Sequence, residues 1–130
     1  MWICWTFRCY LTERGTDVID EWYREQPEAL QAKFDTRLRF LRQHPRSDWV
    51  RPYFDTLRKK CAGLGEIRFA WNKVQYRPIG FSSGEMEFTL VFVAQEHGKR
   101  FVPPKTCEIA QARKAQVITD RKRARDWKFE

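Results

Sequence analysis

Several things are missing from this chain, and each absence narrows what it can be. No apolar run approaches the roughly 20 residues needed to span a bilayer, so a transmembrane segment is not expected. Trp2-Ile3-Cys4-Trp5 is apolar but has no basic region before it and breaks at Arg8, unlike a secretory signal. The four cysteines (Cys4, Cys9, Cys61, Cys107) form no C-x-x-C pair and no ligand cluster. They are expected to be reduced, mostly buried thiols in a cytoplasmic protein. No His, Glu and Asp residues share metal-ligand spacing, and no Gly-rich loop is present to cradle a phosphate, so no metal or nucleotide cofactor is expected. With only 6 Gly and 6 Pro, no repeat and no low-complexity stretch, disorder is expected only near the ends.

What is present suits one α+β domain over residues 1–130. Hydrophobic residues make up 42% of the chain, enough for one core at this length. The net charge of +8 favours a polyanionic partner such as RNA, DNA, the ribosome or an acidic protein. The excess is uneven, since Lys105 to Glu130 holds eight basic residues against four acidic ones. From about residue 120 this reads as a basic, flexible tail, which is usually solvated surface but on an RNA-binding protein adds salt-dependent affinity.

The periodicities give an order of elements. Ile3 to Tyr10 reads as a strand, and Thr16 as the N-cap of a short helix carrying Val18, Ile19, Trp22 and Tyr23 at helical spacing. Pro27 opens a second helix with Leu30, Phe34, Leu38 and Leu41 as its buried stripe, closed by His44-Pro45. Ser47 to Lys60 reads as a loop with a helical turn, anchored by Trp49, Tyr53, Phe54 and Leu57. Leu64 to Phe69, Gln75 to Phe81 and Glu87 to Ala94 follow as strands. Both faces of the last are apolar, which places it centrally. After Pro103-Pro104, Thr106 caps a final helix. The expected fold is β-α-α-β-β-β-α, with a helical hairpin on one side of a small, mainly antiparallel sheet.

The hairpin between the second and third of these strands carries the main functional signal. If Asn72-Lys73 is a two-residue turn, Trp71 pairs with Val74 and Arg68 falls opposite Arg77. Like charges across a strand pair cost from a few tenths to about 1 kcal/mol. An anion between them would relieve that, and two guanidinium forks suit a phosphodiester. Alternatively Glu66 or Glu87 pairs with one arginine in a salt-bridge ladder, or a longer turn shifts the register and separates the two.

Gly63-Leu64-x-Glu66-Ile67-Arg68, Tyr76-Arg77 and Pro104-x-x-x-Glu108-Ile109-x-x-Ala112, in this order of elements, resemble the RelE/ParE toxin superfamily. The similarity runs from about Trp5 to Arg123 and is strongest to the phage-derived and HigB-like toxins of type II toxin–antitoxin modules. It implies a RelE-like fold and metal-independent endoribonuclease cleavage of mRNA on the ribosome. It also implies neutralisation by a cognate antitoxin, expected as a helix-turn-helix protein from an adjacent gene. By the same resemblance Arg68 and Arg77 line an RNA-binding concavity. The acid/base groups are expected after the last strand, where this chain reads Ala94-Gln95-Glu96-His97-Gly98-Lys99-Arg100. Many phage-derived members have a lysine pair there, so Glu96-His97 departs from the pattern while Lys99-Arg100 can supply the displaced charge.

Cleavage by a 2′-hydroxyl on its own phosphate needs a base, an acid and cations for the phosphorane. Arg68 and Arg77 suit the charge, and His97 and Glu96 are the acid/base candidates. Lys73, Tyr76, Lys99 and Arg100 are candidates for holding RNA. Tyr76 alternates with Arg77 and reads rather as core, His97 in a polar loop is more often a solvated residue than a catalyst, and a helix-end role explains His44. The competing functions are a ParE-like gyrase poison without nuclease activity and a catalytically silent RNA- or protein-binding module.

Overall fold

The computed structural model describes residues 3–129. Met1, Trp2 and Glu130 of the expected 1–130 domain lie outside the described residues. Strand β1 (Thr6–Tyr10) leads into α1 (Val18–Arg24). The helix is capped by Asp17 rather than Thr16: the Asp17 carboxylate accepts from Ile19 N–H at 3.0 Å and Asp20 N–H at 2.9 Å. Two free amides of the first turn are thereby satisfied. Helix α2 (Glu28–Arg42) follows, with Pro27 at its N-cap. Its expected stripe of Leu30, Phe34, Leu38 and Leu41 is fully buried. Each such side chain contributes roughly 1.5–3 kcal/mol by leaving water.

The stretch read as loop between Ser47 and Lys60 contains a strand. Trp49 is 2% exposed and its indole N–H donates to Leu41 O at 3.0 Å, fixing the chain against the end of α2. Strand β2 (Phe54–Thr56) then pairs with β3 (Gly65–Ile67). The next strands are β4 (Phe69–Trp71), β5 (Val74–Gly84), β6 (Glu87–His97) and β7 (Arg100–Val102). Helix α3 (Thr106–Thr119) and β8 (Ala124–Asp126) close the described chain. Lys105, not Thr106, stands at the α3 N-cap, and the Thr106 hydroxyl donates back to Pro103 O at 2.6 Å. The basic segment expected as a flexible tail pairs antiparallel with β1 through β8.

Among the described residues the fold is α+β, with three α-helices and a mixed eight-stranded sheet in the order β2-β3-β5-β6-β1-β8. β6 is central, as its two apolar faces implied, and runs parallel to β1. β4 and β7 extend β5 and β6 at one end of the sheet. Helices α1 and α2 cover one face through Ile19, Leu30, Phe34 and Leu38 against Phe7, Phe88 and Leu90. Helix α3 covers the other through Ala110 and Val117 against Ile79, Phe81 and Val91. No described helix is long and apolar enough to cross a membrane.

The cysteine expectation is corrected. Cys61 and Cys107 form a disulfide, with Cα atoms 5.0 Å apart, while Cys4 and Cys9 are free. The two partners are 46 residues apart, and it is the packing of α3 over the 59–63 loop that brings them together. Gln111 and Lys114 fasten the same contact by donating to Ala62 O at 2.8 Å and Gly63 O at 3.1 Å.

Candidate active site: a carboxylate–arginine cleft

The Asn72-Lys73 turn has positive φ at both residues, 51° and 65°, which is the twist that a two-residue hairpin needs. Trp71 pairs with Val74, and the flanking pairs Phe69↔Tyr76 and Glu66↔Ile79 set Arg68 across from Arg77. By the same count Pro78 lies across from Ile67. With no N–H to give, it coincides with the break between β3 and β4.

Carboxylates occupy the space between the two arginines. Arg77 Nε donates to Glu96 Oε1 at 2.8 Å and lies 3.8 Å from Glu66 Oε2. Arg68 Nη1 pairs with Glu66 Oε2 and lies 3.9 Å from Glu96 Oε1. Two cations and two anions thus form a closed ring. Arg77 is also tied to Tyr76 O at 2.9 Å and to Gln75 Oε1 at 3.3 Å. At 2% exposure it is closed off from solvent, and its hydrogen bond fixes the Glu96 carboxylate. Arg68 is the more accessible of the pair, with its side chain 17% exposed.

The ring opens into a cleft of about 560 Å³, lined by Arg51, Asp55, Leu57, Glu66, Arg68, Glu96, Lys99 and Phe101. Arg51 Nε holds Asp55 at 2.9 Å on the rim. Burial pushes the Glu66 carboxyl above its ordinary value, outweighing the opposing hydrogen bond from Arg68 and the charges of Arg68 and Arg77. A carboxyl that keeps its proton longer than usual, beside a guanidinium, can serve as an acid.

Four of the expected site residues are placed elsewhere. Strand β6 runs on to His97, so consecutive residues there alternate faces. Glu96 shares the face of Arg77, whereas His97 is exposed on the opposite face with Gln95, its Nε2 3.0 Å from Gln95 Oε1. Arg100 pairs with His97 across the β6–β7 turn and shares its side, leaving Lys99 alone of the two at the cleft. Tyr76 is core: 7% exposed, stacked on Phe69 at 5.5 Å and close to Trp22 at 6.1 Å, with its phenol pushed up by burial. Lys73 is exposed at the hairpin tip and does not line the cleft. His44 lies at the end of α2, its Nδ1 2.5 Å from Phe40 O.

No family model, curated protein or solved structure matches the chain. The geometry alone therefore has to identify the site. Glu66, weighed from the sequence only as a partner that would neutralise an arginine, turns out to be central to it. The available signal was its position two residues before Arg68 on one strand, which puts both side chains on one face. Arg51, Asp55 and Phe101 carried no comparable signal, because separate elements bring them to the cleft. A larger cavity of about 710 Å³, between α1, α2 and the chain around β8, is lined by Asp20, Asp35, Arg125 and Trp127 and receives none of the expected site residues.

Proposed function

We propose that this protein is a toxin of a type II toxin–antitoxin module with a RelE-like fold, acting as a metal-independent endoribonuclease on mRNA at the ribosome. One observation carries the reading: a single cleft gathers an accessible guanidinium, Arg68, and two carboxylates, Glu66 and Glu96, in different electrostatic settings. Those are the groups that cleavage by an internal 2′-hydroxyl requires. Glu96, held by Arg77, takes the 2′-hydroxyl proton. The 2′-oxygen bonds to phosphorus, and Arg68 with Lys99 stabilises the charge on the phosphorane oxygens. Glu66, whose carboxyl burial shifts above its ordinary value, is the group placed to give a proton to the departing 5′-oxygen. The products are a 2′,3′-cyclic phosphate and a 5′-hydroxyl. The order of elements and the net charge of +8 agree with this reading without distinguishing it from a gyrase poison. The neutralising antitoxin is expected to cover the cleft.

A second reading has its own observation. The ring of Arg68, Arg77, Glu66 and Glu96 is already balanced, which suits a catalytically silent module whose outer basic residues bind RNA or an acidic protein.

The deciding experiment is inducible expression in a bacterium with mapping of mRNA 5′ ends, for wild type, Arg68→Ala and Glu66→Gln. Cuts within translated codons that bear 5′-hydroxyls and disappear in both variants support the nuclease. Growth arrest with intact mRNA and supercoiling-defective DNA would replace it with the gyrase poison. Growth without arrest, with the protein soluble and folded, would favour the silent module.

A further inference from the structure

The carboxylate–arginine cleft has two unlike ends, and the sheet register sets them apart. Asp55 stands opposite Glu66 in the β2–β3 pairing, and Phe101 stands opposite Glu96 in the β6–β7 pairing. Residues directly opposite each other share a face of the sheet, and all four line the cleft. β5 and β7 flank β6 on opposite sides, because Glu96 pairs with Gln75 on one and with Phe101 on the other. Along β2-β3-β5-β6-β7, Asp55 and Phe101 are therefore four strand spacings apart. At about 4.8 Å per spacing that is at most about 19 Å along the sheet. Glu66, Arg68 and Glu96 lie between them.

The Phe101 end is apolar. Phe101 is half-buried, and among the described residues its ring meets no other ring and no cation. Every nucleobase has a π-face, so an aromatic ring in this setting holds a base by stacking, whatever its identity. The Asp55 end is polar. Asp55 Oδ2 accepts from Arg51 Nε at 2.9 Å, and Oδ1 has no hydrogen-bond partner among the described residues. The Asp55 side chain is 37% exposed. An exposed pair of this kind contributes at most about 1 kcal/mol, so little is lost when the carboxylate turns to a ligand. An ionised carboxylate only accepts hydrogen bonds. Guanine is the RNA base with two N–H donors side by side on its pairing edge, which matches two carboxylate oxygens. Adenine and cytosine set an amino group beside an acceptor, and uracil sets one N–H between two acceptors.

We propose that the cleft takes one dinucleotide step of RNA with its bases turned apart: any base 5′ of the scissile phosphate on Phe101, and guanine 3′ of it on Asp55. The direction follows from the acid and base assigned above, so the proposal rests on the reading of the cleft as a ribonuclease site. Glu96, beside Phe101, serves the 2′-hydroxyl, which belongs to the 5′ nucleotide. Glu66, beside Asp55, serves the departing 5′-oxygen, which belongs to the 3′ nucleotide. Arg68 holds the phosphate between the two.

The test is a ¹H–¹⁵N NMR titration of the whole chain with dinucleotides made uncleavable by a 2′-deoxy first sugar: UpG, UpA, UpC, UpU and the reversed GpU. UpG should shift the amides of Asp55 and Phe101 and bind about ten-fold or more tightly than the others, the discrimination expected of one bidentate contact. Asp55→Asn should bring UpG down to the level of the rest. Phe101→Leu should weaken all of them by a similar factor, about five-fold or more, through lost stacking. The proposal is overturned if no dinucleotide shifts these amides at millimolar concentration, if all bind alike, if GpU binds as well as UpG, or if the guanine preference survives in folded Asp55→Asn. The mapped mRNA 5′ ends keep this proposal and the nuclease reading apart. Cuts that precede guanine support the proposal, whereas cuts without regard to the following base overturn it and leave the nuclease standing. Guanine-selective binding in the cleft with intact mRNA supports the two-ended site and removes the nuclease.

Discussion

Arg77 donates through Nε to Glu96 Oε1 at 2.8 Å from a position that is 2% exposed. It therefore differs from Arg68, its neighbour across the hairpin, in what its loss would do. Removing Arg77 leaves two carboxylates facing each other without their buried counter-charge, and breaking a buried pair on one side costs about 3–5 kcal/mol. Arg77→Ala should unfold at markedly lower denaturant concentration than wild type, whereas Arg68→Ala, at a side chain that is 17% rather than 3% exposed, should lose less. Urea unfolding of the two variants measures the contrast, and equal losses would show that Arg77 does not hold the ring together.

That asymmetry also marks how far the sequence could be read. The hairpin register followed from turn chemistry, because Asn72-Lys73 accepts the positive φ of a two-residue turn. The buried stripe of α2 followed from its period. Local signals of this kind carry no information about what lies across the sheet, so Glu66 and Glu96 were not seen to meet between the arginines. Treating Gln95 to Arg100 as a loop hid a second fact. The strand continues through His97, and strand alternation sends Glu96 and His97 to opposite faces. β2 and β8 were not legible because strands of three residues show no usable alternation; pairing with β3 and β1 defines them. The disulfide is a product of tertiary packing and has no spacing signature.

Glu66 and Glu87 should affect stability with opposite dependence on pH. Burial raises the Glu66 carboxyl, so the folded state binds a proton that the unfolded chain has released just above the ordinary carboxylate value. The stability from that proton is complete below the unfolded value and is lost as pH rises through the folded one. Glu87 is lowered, chiefly by the hydrogen bond from Arg121. Its contribution is present above the ordinary value and is lost as pH falls through the folded one. Denaturant unfolding across the acid range should therefore show a flatter profile for Glu66→Gln on the rising side. Arg121→Ala should show less loss on acidification. Unchanged profiles would refute both assignments.

The Cys61–Cys107 bond closes a loop of 46 residues and ties α3 to the chain beside Leu64. In the chain-entropy model a loop of that length corresponds to about 4 kcal/mol of stability. Cys107→Ala, or treatment of the wild type with a dithiol reductant, should lower the unfolding midpoint substantially, and hydrogen exchange should speed up first in α3. If the oxidised and reduced proteins unfold together, the hydrogen bonds from Gln111 and Lys114 are sufficient to hold α3.

Gly80 marks the bulge in the β5–β6 pairing, where the register shifts between Ile79 and Gly80. A Cβ placed there would lie 2.2 Å from Thr89 O, a backbone atom that can move only with its strand. Gly80→Ala should therefore cost about 1–3 kcal/mol through overpacking. Gly98→Ala, with open space but a φ of 55°, should cost about 1 kcal/mol. Thermal unfolding of the pair separates steric clash from backbone strain, and the ranking would reverse if β5 and β6 slide freely at the bulge.

The same alternation gives the sharpest test of the proposed chemistry. Histidine is the side chain most often used for proton transfer near neutral pH, yet His97 lies on the opposite face from the ring, beside Gln95. If the cleft cleaves RNA, His97→Ala should keep cleavage within about two-fold, since nothing in that cleft depends on it. Glu66→Gln should lower the rate by about 10²–10⁴, the range associated with a lost general acid. Arg68→Ala should fall by about 10²–10³ through loss of charge stabilisation on the phosphorane. Cleavage rates on a translated message, measured alongside unfolding midpoints, distinguish these effects from misfolding. A large loss in His97→Ala with Glu66→Gln unaffected would move the active site to the other face of the sheet and leave the arginine–glutamate ring with a purely structural role.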